Sequence, residues 1–169
     1  PACECGKQVK ASHPLIMDSS ISEPMELLHM DLYGYSTVAS LHHKKYILVV
    51  VDDFTHFTWV FFLKLKSETP QILINFIKEI ELQIKLPVRR IRSDNGTEFT
   101  NHLLNSFLVS KGISHNFSAP YITQQNGVVE RRNCTLVEAA RSMLNFAHLP
   151  LYFWAEAVAT ACFVQNRSI

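Results

Sequence analysis

Nowhere in the chain do roughly 18 apolar residues follow one another, so no stretch reads as a membrane-spanning helix. The opening Pro1–Cys5 lacks the basic segment and apolar run of a secretory signal. Cysteine is scarce: Cys3, Cys5, Cys134 and Cys162 are too few and too scattered for a disulfide framework, and a reducing, intracellular setting is expected. Excess charge is missing as well. With 16 Lys and Arg against 15 Asp and Glu, the net charge of +1 does not announce a nucleic-acid binder, and any such binding must come from local patches or from segments outside this chain. There is no internal repeat and no low-complexity segment. What remains is a 169-residue chain with 47% apolar residues, enough for one domain with a substantial core.

The chain is organised around Val88 to Arg132. A run from Val88 to Arg92 leads into Ser93, Asp94, Asn95, Gly96, Thr97, Glu98 and Phe99; the stretch closes on Gln124, Gln125, Asn126, Gly127, Val128, Val129, Glu130, Arg131 and Arg132. Asp94 and Glu130 have 35 residues between them, and each sits near an Asn-Gly pair, which favours turns and close backbone approach. Asp94 falls where a strand runs out and Glu130 where a helix begins.

In chain order, residues 1–24 are polar, contain Pro14 and Pro24, and read as a linker. Glu26–Gly34 reads as a strand with Asp31 near its end. Tyr46–Val51 is a continuous apolar run, as expected of a strand buried on both faces. Asp52 and Asp53 read as turn formers, and Phe57–Leu65 as a third strand. His42 to Lys45 reads as a hairpin tip, and short connections favour an antiparallel meander. From Glu68, Ile72, Phe76, Ile80 and Ile84 recur every four residues, so a helix follows, with Ser67 as its expected N-cap. Val88–Ser93 is a fourth strand, Asn101–Lys111 a helix stopped by Gly112, and Ile113–Phe117 a fifth strand. Ser118–Asn126 is a polar loop whose part from Thr123 to Gly127 is expected to move. Val128–Ala147 is a long helix with Val129, Leu136, Ala140, Met143 and Ala147 on its apolar face, and Leu151–Gln165 is another after Pro150. The predicted architecture is α/β: a mixed five-stranded sheet, an antiparallel meander plus two βα strands, flanked by helices. Ser168 and Ile169 carry no helix-ending signal, which suggests a fragment of a longer protein.

In this strand order the first and fourth strands commonly lie side by side, so Asp31 and Asp94 meet and Glu130 reaches in from its helix. Three carboxylates that close repel one another and raise each other's pKa. Magnesium or manganese resolves the conflict, because hard cations take carboxylate oxygen, and two such ions can serve phosphodiester chemistry. Against this stands the ordinary fate of most of the 15 acids, a solvated surface.

The residues quoted around Asp94 and Glu130 resemble the catalytic core of a retroviral or retrotransposon integrase, of the ribonuclease H-like fold, and the copia-type branch in particular. Val51 to Phe54 with Trp59, and Leu136 to Leu144, share the likeness, which runs from about Glu26 to Arg167. The family pattern of Asp, Asp and a Glu after 35 residues is met by Asp31, Asp94 and Glu130. The resemblance implies that these three are catalytic and hold Mg2+ or Mn2+, two ions when DNA is bound. It implies joining of an element's DNA 3′ ends to target DNA by transesterification. Asn95, Gln125, Asn126, Gly127, Arg131 and Arg132 are the expected DNA contacts, and a homo-oligomer of at least two copies is expected, acting in the nucleus on chromosomal DNA and otherwise in a cytoplasmic particle. No membrane partner is expected. The family also carries an upstream zinc module; Cys3 matches its last ligand, so residues 1–24 hold its remnant, residues 25–169 form the core, and no structural zinc is expected. A basic residue common one turn after the catalytic Glu is here Cys134, which shifts that role to Arg131 and Arg132. Two rivals remain: a nuclease of the same fold that only cuts, and an inactive remnant.

Overall fold

A computed structural model describes residues 21–34, 38–118 and 127–168. The strands are β1 (Leu27–Gly34), β2 (Tyr46–Asp52), β3 (Thr58–Leu63), β4 (Arg90–Ser93) and β5 (Ser114–Phe117). The helices are α1 (Thr69–Ile84), α2 (His102–Lys111), α3 (Gly127–Phe146) and α4 (Trp154–Gln165). One sheet has the order β3-β2-β1-β4-β5, with β1, β2 and β3 antiparallel and β1, β4 and β5 parallel. This is the mixed sheet expected above, with the first and fourth strands adjacent.

The sheet is buried on both faces, and β2 shows why its sequence is continuously apolar. Its side chains alternate: Leu48 and Val50 pack with Leu73, Ile77 and Leu104 from α1 and α2, while Ile47, Val49 and Val51 pack with Val129, Leu136, Trp154 and Val158 from α3 and α4. Trp154, fully buried, also donates its indole N–H to the carbonyl of Val38, tying the β1–β2 connection to α4. Leu41 N–H donates to the carbonyl of Tyr152 at 2.9 Å in the same place. No helix among the described residues is long and apolar enough to cross a membrane.

Several local expectations change. Ser67 is not an N-cap: a 3-10 turn, Lys66–Glu68, precedes α1, which starts at Thr69 with Pro70 in its first turn and no side-chain cap. The helix ends on Lys85, left-handed at φ 59°, before Pro87 is reached. Asn101 is the N-cap of α2, accepting from Leu103 N–H at 2.8 Å, and Gly112 ends that helix at φ 71°, a conformation that costs glycine little. Gly127, expected in the loop, is the first residue of α3. The buried stripe of α3 is Val129, Asn133, Leu136, Val137, Ala140 and Leu144. Met143 is half-buried and Ala147 exposed, because the stripe turns with the 3.6-residue period and takes in a polar residue on the way. Cys3, Cys5, Gln124, Gln125 and Asn126 lie outside the described residues.

Candidate active site

Parallel pairing of β1 with β4 runs through His29 opposite Arg92. Two residues further along each chain stand Asp31, still on β1, and Asp94, just past the end of β4. Adjacent parallel strands thus carry both acids to one end of the sheet. Glu130 arrives in the first turn of α3, which packs across β1 and β2.

Asp31 is half-buried, whereas Asp94 and Glu130 are exposed. The Asp31 carboxyl is pushed up to about 6, first by burial and then by the charges of Asp94 and Glu130; the Leu32 backbone N–H and the Asn133 amide work the other way. Asp31 therefore feels both of the other acids. Yet no three Asp, Glu, His or Cys side chains among the described residues stand close enough together to grip a cation ready-made. Asp31, Asp94 and Glu130, expected to converge, thus form no finished cation cage, and two of them hydrogen-bond within the protein. Asp94 Oδ1 accepts from Gly96 N–H at 3.1 Å, and Asp31 Oδ2 accepts from Asn133 Nδ2. Asp31 and Asp94 thus each take a donor of their own.

Gly96 lies close to the acids of the turn after Asp94. A Cβ there would lie 2.8 Å from Glu98 Cδ and 3.1 Å from Asp94 Oδ1, so any side chain would push the two acids away. Phe99, fully buried, anchors the turn, and its N–H donates to the Gly96 carbonyl. Glu98 is a fourth acid beside Asp94, but Lys66 Nζ stands 3.5 Å from its Oε1. Asn95 is exposed next to Asp94.

Three supporting residues escaped the sequence reading. Asn133, 5% exposed, links α3 directly to Asp31; it lies one turn after Glu130 on the buried stripe, and a polar residue at such a position is the signal that could have found it. His115 on β5 holds Ser93 Oγ at 2.9 Å, immediately before Asp94, and burial drives its imidazole down to about 4. Because Ser93 Oγ donates its single proton to the Asp94 carbonyl, His115 Nε2 donates to Ser93. His29, 1% exposed, pairs with Asp53 at 2.6 Å on the same face of β1 as Asp31. Asp53 is therefore more than a turn former; the His29 hydrogen bond, against burial, holds its carboxyl below the usual range. Asp52 does form the turn, accepting from Thr55 N–H and Oγ1 and also from Met25 N–H.

A cavity of ≈400 Å³ opens beside the acids, lined by Asp31, Tyr33, Glu130 and Asn133, and further along α3 by Cys134, Glu138 and Arg141. Arg131 and Arg132 face elsewhere. Arg131 Nε donates to the Gly127 carbonyl at 3.0 Å, while Arg132 donates to Gln165 Oε1 at 3.1 Å and to the His56 carbonyl at 3.0 Å. Arg89, just before β4, pairs with Glu23, and Arg90, its first residue, with Glu26.

Comparison with known proteins identifies the family. Residues 21–122 match the family described as Integrase core domain, a stretch that includes Asp31 and Asp94 and stops before Glu130. The retrovirus-related Pol polyprotein from transposon TNT 1-94 of Nicotiana tabacum is 37% identical over 166 residues, covering 98% of this chain and 12% of the relative. The corresponding polyprotein from transposon RE2 of Arabidopsis thaliana is 32% identical over 162 residues, covering 94% of this chain and 11% of the relative. The chain thus spans about a tenth of the length of these curated relatives. Among solved structures, an HTLV-2 integrase catalytic core domain in complex with magnesium, in a trimeric form, superposes with a TM-score of 0.59 at 23% identity, over 83% of this chain and 84% of that one. A simian T-cell lymphotropic virus intasome in complex with PP2A regulatory subunit B56 gamma gives 0.63 at 21% identity, over 83% of this chain and 48% of its own. These two likenesses establish the ribonuclease H-like fold. With two adjacent strands and one helix delivering Asp, Asp and Glu to one sheet end, and with these relatives, the chain belongs to the integrase core domain family, as the copia-type catalytic core of a retroelement Pol polyprotein.

Proposed function

We propose that residues 25–169 form a DNA strand transferase core that joins the 3′ ends of a retroelement's DNA copy to target DNA. The observation that carries this reading is the Asp31 carboxyl, raised to about 6 in part by the charges of Asp94 and Glu130. A half-buried acid kept near two others is costly unless a positive partner joins them. The donor set suits that partner: carboxylate oxygens only, the preference of Mg2+ and Mn2+. Asp31, Asp94 and Glu130 would hold the ions, two when DNA is bound. When bound, they supply the charge that favours an ionised 3′ hydroxyl and stabilises the leaving oxygen. In the reaction the 3′ oxygen forms a new bond to a target phosphorus, and the bond from that phosphorus to the neighbouring 3′ oxygen breaks. Asn133 holds Asp31 in orientation from α3, the helix that also carries Glu130. Solved neighbours in intasome and trimeric forms support an assembly of at least two copies on DNA.

The test is a strand-transfer assay on a labelled duplex, with Glu130→Gln beside the parent. The variant keeps shape and loses a charge, so joining should vanish while the circular dichroism spectrum and metal-free melting temperature stay put. Stabilisation by Mg2+ or Mn2+ against heat should shrink in the variant, a readout that needs no turnover. Joining by the variant at the parent's rate would remove Glu130 from the site; cut duplex without joined product from the parent would leave a nuclease.

A further inference from the structure

Ser93 stands on β4 where the strand period asks for an apolar side chain. Ile91, two residues earlier, packs with Leu73 and Leu104 on the α1 and α2 face of the sheet, and Ser93 follows it there, 0% exposed. His115, opposite Ile91 on β5, is half-buried on the same face. Asp31, opposite Val49, lies on the other face, against α3. We propose that Ser93 and His115 are a positioning pair for Asp94, fixing the direction of its carboxylate through the backbone from the sheet face opposite Asp31, an inference that rests on the metal-dependent DNA-joining reading above.

Three observations carry it. The first is a hydrogen-bond chain with one direction. His115 Nε2 donates to Ser93 Oγ at 2.9 Å, and Ser93 Oγ donates to the Asp94 carbonyl at 2.8 Å. The hydroxyl has a single proton, so both bonds form together only in this sense. The second is where the chain ends. The Asp94 carbonyl belongs to the peptide plane that leads to Asn95, so holding it restrains ψ of Asp94. On the same residue, Gly96 N–H holds the carboxylate Oδ1 at 3.1 Å. Backbone and carboxylate of Asp94 are tethered separately, and slack in the first lets the second swing. The third is the anchoring of the pair itself. Ser93 is held a second time, at its carbonyl, by Ser118 N–H at 2.9 Å, and the His115 ring lies 4.1 Å from that of Phe117. Alanine would fill the Ser93 position without a polar group to satisfy. Neither Ser93 nor His115 lines the cavity beside the acids, so both act through Asp94 and not on substrate.

The isotope-labelled 169-residue chain tests this through the Gly96 amide resonance, through Mn2+ affinity from the electron paramagnetic resonance of unbound ion, and through kcat against KM in strand transfer. Ser93→Ala, and His115→Phe, which keeps a ring beside Phe117, should shift the Gly96 amide and weaken Mn2+ binding about tenfold, as loss of a partner that orients a metal ligand does. Their kcat should fall while KM for DNA stays. His115→Gln retains an N–H donor and should stay close to the parent in every readout. A role confined to holding β5 would lower the melting temperature and leave the resonance, the metal affinity and kcat alone. A parent-like Gly96 resonance and Mn2+ affinity in folded Ser93→Ala, or His115→Gln as impaired as His115→Phe, would overturn the pair. If Ser93→Ala does not fold, the two His115 variants, at a half-buried position on an edge strand, decide between these outcomes. A parent that holds Mn2+ but joins no DNA would overturn the joining reading, with the pair still decided by the resonance and the metal affinity. A parent without Mn2+ affinity would overturn both.

Discussion

Asp31→Asn should make the metal-free protein more stable while abolishing DNA joining. The Asp31 carboxyl titrates near 6 in the fold against 3.8 for an unperturbed group. A raised acid pKa means that the fold prefers the protonated form. Stability from this group is fully present below about pH 4 and is lost as pH rises through about 6. A gap of about two units at 1.36 kcal/mol each gives about 3 kcal/mol at pH 8. Asp94 and Glu130 are exposed, so their share is screened by salt and the expected gain is about 1–3 kcal/mol. Asparagine keeps the shape and can still accept from Asn133 Nδ2, so little packing is lost. For a chain of this length the melting point should rise roughly 3–10 °C. Urea unfolding in EDTA at pH 8 and pH 4, parent against variant, measures it. The advantage should be clear at pH 8, nearly gone at pH 4, and smaller at pH 8 once Mg2+ stabilises the parent. A variant no more stable than the parent at pH 8, or an advantage of equal size at both pH values, would refute the claim that the charge of Asp31 strains the fold. Stability given up for function at an active site is a common trade.

Asn133→Ala should cost about 1–3 kcal/mol, because a buried donor to a charged group is lost, and should raise the Asp31 pKa further; a pH series of unfolding shows both. Arg132→Ala should release α4 from the β2–β3 turn, read as faster hydrogen exchange at the C-terminal end of α4, with about 1–2 kcal/mol lost. His115, held down to about 4 by burial, should remain neutral at pH 5.5 in an NMR titration of its ring protons. Its neutral form is the native one, so its contribution is present above the ordinary histidine pKa and lost as pH falls towards 4; His115→Gln should flatten that acid limb.

Much of this molecule is local and therefore legible in the chain. The five strands and four main helices follow from apolar period and from breakers such as Gly112 and Pro150, because burial of one face or two imposes a period whatever the partner. The spacing from Asp94 to Glu130, and the adjacency of the first and fourth strands, were legible for the same reason: element order restricts how a sheet can be wound. Capping was less so; Ser67 has the right chemistry for an N-cap, but Pro70 and a 3-10 turn set the start of α1. The tertiary structure alone decided the polar pairs. Asn133 meets Asp31 across 102 positions, Arg132 meets His56 across 76, and His29 meets Asp53 across 24. No period encodes such meetings. Each exists because packing sets a polar group against a partner distant in sequence, and the identity of that partner depends on how the helices and turns lie across the sheet. The same packing sets the raised pKa of Asp31. The sequence names the acids, and the fold determines how strongly they feel one another.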